Sequence, residues 1–412
     1  MEPITFRVGV TMKRKRKMSS GRSGITLVEM LVVIAIIGIL AAILIPVIGG
    51  ATRRAQVTQV QSEIRLMEDA LTRFRAKYGM NPPSRLCFHE NPRDGLAYGA
   101  DHPGVSPDLN IILKRIDQLT IKVLKRMWPK FSAINPGRAG LNYYDYDANG
   151  VQTPFVQLTG SECLVFFLGG MPMPLVSMPG TDGSLGTADD LETLMALVAP
   201  GTSFELVTNR GVEGFSKDPR IPFARSFASN DPNLGMSFDA DQRDAPLFEF
   251  DVSRLSDVDG DGFWEYYDPT QTPVASGVFA PASSAHPYVY FSSNEGQMYN
   301  ALTVRSPSGP QPIATFDNAW NIQGGQIVGI AFPLSRNMAS WAEPDQVQWW
   351  NDKTYQIISP GIDGLIGTGM MNFGVAVFNP ANPNYDLDAA LTPEMHDNIT
   401  NFTSGTLQDE GP

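Results

Sequence analysis

The chain is short of the residue types that carry out chemistry. Its 412 residues include four histidines (His89, His102, His286, His396) and two cysteines (Cys87, Cys163). No HExxH, P-loop, GxSxG or CxxC pattern occurs. Neither a nucleophile–base pair nor a closed metal constellation can be named, so no enzyme is expected. Two cysteines allow one disulfide, Cys87 to Cys163, and the sequence leaves two buried thiols open as the alternative. Positive charge is also scarce once the first 24 residues are set aside. Seven of the 31 Lys and Arg lie there (Arg7, Lys13, Arg14, Lys15, Arg16, Lys17, Arg22), with Glu2 the only one of the 43 acidic residues. That leaves 24 basic against 42 acidic residues and a net charge of −18. Such a chain lacks the broad basic surface that nucleic-acid binding uses.

What the chain does have is a long apolar run. ITLVEMLVVIAIIGILAAILIP spans Ile25 to Pro46 with Glu29 as its only charge, behind the basic leader KRKRKMSSGRSG. A secretory signal peptide has a 7–15 residue apolar core followed by small residues at its cleavage site. This run is longer, carries a carboxylate at its start and continues into a helix. A plain membrane anchor of about 20 residues fits the length but gives no reason for Glu29 or for the Ser23-Gly24 step. A carboxylate in a lipid-compatible helix calls for a partner.

Gly24, Glu29 and Pro46 at these spacings resemble the N-terminus of type IV pilins and of the pseudopilins of type II secretion systems. The resemblance covers about residues 20–80. It implies cleavage by a prepilin peptidase between Gly24 and Ile25, methylation of the new N-terminus, and Glu29 as the fifth mature residue. Pro46 falls at the twenty-second, where the family commonly has a helix-loosening proline. Ile25 departs from the usual Phe. The implied partners are other pilin or pseudopilin subunits, the peptidase, an inner-membrane assembly platform and membrane lipid. Glu29 would pair with the amine of a neighbouring subunit inside a filament. The basic leader holds the N-terminus in the cytoplasm, so the head is expected in the periplasm, reaching a filament or the cell surface after assembly. Met1, Met12 and Met18 all remain candidate starts.

Beyond the run, Val57, Val60, Ile64, Met67, Leu71, Phe74 and Tyr78 recur at spacings of three and four, one apolar stripe on a helix. Gly79 and Asn81-Pro82-Pro83 stop it. The expected fold class is α+β, a long N-terminal helix packed on an antiparallel β-sheet head enlarged by β-rich insertions. The expected divisions are a leader (1–24), a transmembrane or filament-core helix (25–50), its amphipathic continuation (51–80) and an extracytoplasmic β-rich head (81–412), with a sub-boundary near 200. A further helix is expected around Ile111–Met127, its basic residues on a solvated face. Gly and Pro, 38 and 32 of 412 residues, make about 17% of the chain, above the ordinary ~12%. Short strands are expected at Glu162–Leu168, Ser203–Thr208, Leu247–Val252, Tyr288–Ser292, Gln326–Phe332, Thr354–Ser359 and Phe373–Phe378. The stretch Asn379–Pro412 is expected to fray or lie on the surface.

Four loops carry calcium-type patterns, to different extents. Asp257, Asp259, Asp261, Glu265 and Asp268 fall at positions 1, 3, 5, 9 and 12 with Gly262 at 6, as an EF-hand-type loop requires, although position 12 is normally Glu. Asp145-Tyr-Asp147-Ala-Asn149-Gly150 repeats only the first half of that pattern. The segments 178–190 and 359–370 share PG-x-DG-x-x-GT, similar to the calcium loop of the major pseudopilin. That likeness implies Asp182, Asp189 and Asp190 as ligands in the first copy, while the second keeps only Asp363. Trp341, Trp349 and Trp350 read as core or interface anchors sooner than as a sugar platform. The expected function is a structural filament subunit, and the large head points to a minor or specialised one. The alternative is a membrane-tethered or surface-displayed binding protein that uses a pilin-type export signal.

Overall fold

Apolar residues at every position of a turn make a helix that no water-facing surface satisfies, and this is how the chain begins. In the computed structural model, α1 (Leu27–Tyr78) runs unbroken for 52 residues. The structure describes residues 27–89, 107–131, 156–172, 175–178, 191–194, 205–207, 211–220, 222–223, 243–257, 262–270, 286–293, 303–306, 309–312, 322–323, 326–327, 333–336, 348–366, 376–377 and 393–409. Met1–Thr52 and Arg53–Pro412 form two compact units. In the first, Leu27, Val28, Ile34, Ile39 and Ile45 stand exposed, and α1 holds a stretch long and apolar enough to cross a membrane.

In the second unit the helix is amphipathic, and the predicted stripe is its buried face. Val60, Ile64, Met67, Leu71 and Phe74 are fully or almost fully buried, with Val57 and Tyr78 packed at the edges. Burying each such side chain contributes about 1.5–3 kcal/mol. The helix ends at Gly79, whose φ of 72° favours glycine and whose N–H bonds the Arg75 carbonyl at 2.7 Å. Arg126 donates to the Gly79 carbonyl, so one member of the basic cluster serves as a cap.

The head is built from β1 (Leu86–Phe88), α2 (Pro107–Met127), β2 (Val156–Leu158), α3 (Gly160–Gly169), β3 (Leu175–Met178), β4 (Leu191–Leu194), β5 (Glu205–Val207), β6 (Leu255–Ser256), β7 (Glu265–Tyr266) and β8 (Val289–Ser292). It continues through β9 (Thr303–Ser306), β10 (Gly309–Pro312), β11 (Ile322–Gln323), β12 (Gln326–Ile327), β13 (Leu334–Ser335), β14 (Tyr355–Ser359), β15 (Ala376–Val377) and β16 (Ile399–Thr400). These make small sheets. β3 lies between β4 and β5, and β14 between β16 and β8, all antiparallel; β1–β2, β6–β7, β9–β10 and β11–β12 are antiparallel pairs. β13 and β15 pair in parallel, with Leu334 opposite Ala376.

Two strand expectations are corrected. Glu162–Leu168 is helical, the centre of α3, and all ten residues of that helix are buried. An element buried on every side shows no alternation, so periodicity does not separate helix from strand. The start signal was nevertheless present. Thr159 and Glu162 have capping-box spacing, and the Glu162 carboxylate accepts the Thr159 N–H. Leu247–Val252 forms no ladder. The Leu247 and Phe248 N–H groups both reach the Leu168 carbonyl (2.7 and 3.2 Å), and Asp251 starts a 3-10 turn by accepting the Ser253 N–H at 3.0 Å.

Around α3 gathers an aromatic core of Phe88, Trp128, Phe131, Phe166, Phe167, Phe215, Phe223 and Phe263. Its rings meet mostly edge to face, as ring quadrupoles prefer; Phe74 and Phe167 lie 5.6 Å apart at 76°. α3 ends where Gly170 bridges Gly214 in parallel. A Cβ on Gly170 would fall 2.2–2.4 Å from Gly214 backbone atoms, so only glycine fits. The last residues also differ from expectation. Ile399, Thr400 and Leu407 are buried, Asn401 donates to Glu68 on α1 at 3.1 Å, and Gln61 donates to the Ser404 carbonyl. The part between 379 and 392 lies outside the described residues.

Beside β14, His286 is held neutral. Its Nδ1 accepts the Ile366 N–H at 3.0 Å, and burial lowers its pKa from 6.5 to about 4. A base whose folded pKa is depressed binds fewer protons folded than unfolded between those values. Its stabilisation is therefore complete above pH 6.5 and is lost as pH falls towards 4, by roughly 3 kcal/mol. Thermal melts across that range should show His286→Asn, whose side-chain carbonyl can accept the same bond, with a flatter acid limb than wild type. Parallel losses in the two proteins would refute this role.

Candidate functional site

The two compact units present different candidate surfaces. In the first, the exposed apolar side chains from Leu27 onward surround α1 and need lipid or another apolar surface as cover. Glu29 lies in the first turn of the helix and is exposed. The helix continues through Pro46, whose missing N–H deprives the Ala42 carbonyl of its usual partner. Gly24 and Ile25 lie outside the described residues, as do the side chain of Pro46 and the implied ligands Asp182, Asp189, Asp190, Asp259 and Asp261.

In the second unit the acidic loop is divided by the fold. Asp257 accepts the Gly262 N–H at 3.0 Å, and Gly262 has φ 89°, so positions 1 and 6 close the sharp turn that a calcium loop needs. Glu265 is buried on β7. Asp268 has other work: one carboxylate oxygen accepts Ser359 Oγ at 2.6 Å and the other accepts the Thr270 N–H at 2.9 Å and its hydroxyl. Burial holds the Asp268 carboxyl above the usual range in spite of these donors. In the related segment near 360, Asp397 accepts the Ile362 and Asp363 N–H groups (2.8 and 3.0 Å), and Asp363 closes an Asx turn onto Leu365 at 2.7 Å.

Two constellations were not singled out from the sequence. Glu63, on the flank of the α1 stripe, receives Arg254 Nη1 at 2.9 Å and also Nη2, Tyr266 Oη at 2.9 Å and Tyr288 Oη at 2.7 Å. Burial opposes the Arg254 charge, but the Glu63 carboxylate more than compensates and its pKa rises; burial and Glu63 push both tyrosines up. This cluster ties the helix to the head. The second is Cys87, His89 and Asp117, all buried, with ligand atoms within 4.8 Å of one another. Asp117 Oδ1 lies 2.7 Å from His89 Nε2, and Cys87 Sγ lies 3.9 Å from the same nitrogen. Burial, with Asp117 adding to it, raises the Cys87 thiol well above its ordinary pKa. Cys87 and Cys163 are both buried as thiols, so the disulfide considered from sequence does not form.

Trp349 and Trp350 sit in packing, and Trp341 lies outside the described residues. Trp349 is buried; Trp350 stacks on Phe402 at 5.0 Å and 7°, with Arg336 over its ring at 4.2 Å. A sugar-binding platform needs open ring faces, which Trp350 does not offer.

Residues 19–45 match the family model described as the prokaryotic N-terminal methylation motif. The chain is 48% identical over 95 residues to the type IV major fimbrial protein FimA of Dichelobacter nodosus, which covers 21% of this chain and 59% of that protein. It is 49% identical over 49 residues to a fimbrial protein of Pseudomonas aeruginosa, 12% of this chain and 32% of the relative. The apolar helix, the small antiparallel sheets and these matches make the chain type IV pilin-like. The matched lengths are short: the chain spans about three fifths of the first relative and one third of the second. No solved structure matches it.

Proposed function

We propose that this chain is a structural subunit of a type IV pilus-like or type II secretion filament, made as a precursor and cut between Gly24 and Ile25 by a prepilin peptidase. The observation that carries the reading is the methylation-motif match at residues 19–45 on a helix whose apolar side chains stand uncovered. Before assembly lipid covers them; in a filament the helices of neighbouring subunits do. The inner membrane holds the precursor, with the basic leader in the cytoplasm and the head in the periplasm. The test is mass spectrometry of the chain's N-terminus, from cells with and without a prepilin peptidase. The expected mature chain begins at Ile25 and carries one added methyl group only where the peptidase is present. A leader that stays intact in both strains would sink the proposal.

Calcium at the acidic loop belongs to the same proposal. Asp257, Asp259, Asp261 and Glu265 supply the oxygens, while Asp268 keeps its hydroxyl partners. Calcium, and not magnesium, should then raise the melting temperature of the full chain in detergent, and Asp259→Asn should abolish the rise. An unchanged wild-type melting temperature removes calcium from this account.

A further inference from the structure

The cluster of Cys87, His89 and Asp117 is independent of the filament reading and of the acidic loop. Cys87 lies on β1 and His89 directly follows it, two residues on, so both side chains leave the same face of the extended backbone. That face meets α2, which carries Asp117. Thr120, also on α2, fastens the two elements: its hydroxyl accepts the Cys87 N–H at 3.0 Å and donates to the Ile116 carbonyl at 2.8 Å. Cys87 and Asp117 are 0% exposed and His89 1%.

Two chemistries use such a trio. In a nucleophile relay the thiol and the carboxylate engage opposite nitrogens of the imidazole, so that a proton can pass through the ring. Here both face Nε2. Three donors converging on one point is instead the arrangement of a metal centre. Around tetrahedral zinc, bond lengths of about 2.0–2.3 Å place neighbouring ligand atoms roughly 3.3–3.6 Å apart. The observed 2.7 and 3.9 Å lie on either side of that spacing. A small rotation of the Asp117 carboxylate away from Nε2 would even them. The donor set of one sulfur, one nitrogen and one oxygen suits zinc and not calcium or magnesium, which take oxygen ligands.

We propose that Cys87, His89 and Asp117 form a structural zinc site that clamps β1 to α2. Zinc enters as the head folds, Cys87 gives up its proton to bind as thiolate, and water or a carbonyl completes the tetrahedron. The dication would balance the Asp117 carboxylate and the Cys87 thiolate that forms as the metal binds.

The test uses the full-length chain in detergent, without a polyhistidine tag, from cells grown with added zinc and purified without chelator. Elemental analysis should find one zinc per chain. Cys87→Ser should lower the zinc content about tenfold or more, while Cys163→Ser leaves it unchanged. The cobalt-loaded wild type should show a thiolate-to-cobalt charge-transfer band, a readout that needs no variant to fold. Wild type without zinc, a cobalt spectrum without that band, or full zinc retention in Cys87→Ser would each overturn the proposal.

Discussion

Glu29→Val should leave the chain in the membrane and remove it from filaments. The substitution makes the apolar run easier to insert, since a carboxylate deep in the bilayer costs about 3 kcal/mol on insertion scales. In the proposed filament the balance reverses. The N-terminal ammonium of a neighbouring subunit would be buried without an anion, and removing one partner of a buried pair costs about 3–5 kcal/mol. Each subunit would carry that penalty, so incorporation should fall by two orders of magnitude or more (roughly 1.4 kcal/mol per factor of ten). Immunoblots of the membrane and sheared-filament fractions measure both halves at once. Normal amounts of Glu29→Val in filaments would remove the pairing mechanism.

The second large effect is expected at Glu63. Glu63→Gln keeps the shape of the side chain and deletes its charge, leaving the Arg254 guanidinium, 12% exposed, beside two tyrosine hydroxyls and no carboxylate from α1. The expected cost is about 3–5 kcal/mol, which corresponds to a fall in melting temperature on the order of 10 °C for a domain of this size class. Adding Arg254→Met removes the guanidinium, which in the single variant keeps only the half-exposed Asp251 at 3.6 Å as an anionic partner, and should recover more than half of the loss. A single variant that melts within about 2 °C of wild type would mean that Glu63 does not tie the helix to the head.

The parts of the molecule readable in advance are those whose cause is local. The α1 stripe from Val57 to Tyr78 is a three-and-four spacing, and the helix buries that face. The glycine stop at Gly79 is equally local. α3 was missed because apolar residues on all sides erase periodicity, although Thr159 and Glu162 held its start signal. Positions 1 and 6 of the acidic loop, Asp257 and Gly262, meet as their spacing requires. Asp268, at the loop's last position, accepts the hydroxyl of Ser359 from 91 residues away, a contact that no local spacing announces. The same limit hid the two buried constellations. Glu63 looks like any charge beside an apolar stripe until Arg254, Tyr266 and Tyr288 arrive from 191 to 225 residues downstream. Cys87 and His89 share a strand spacing, but Asp117 joins them only through the docking of α2.

The closing contacts of α1 also set an order of events. Glu68 and Gln61 are reached by Asn401 and Ser404, more than 330 residues later in the chain. In the proposed orientation the leader stays in the cytoplasm and the residues beyond the anchor cross in chain order, exposing the apolar stripe before the segment that clamps it has arrived. If the head crosses a membrane as proposed, its folding is coupled to completion of that transport, and contacts of such long range form slowly. A chaperone acting on this protein would have its period of use between the passage of residue 80 and that of residue 404.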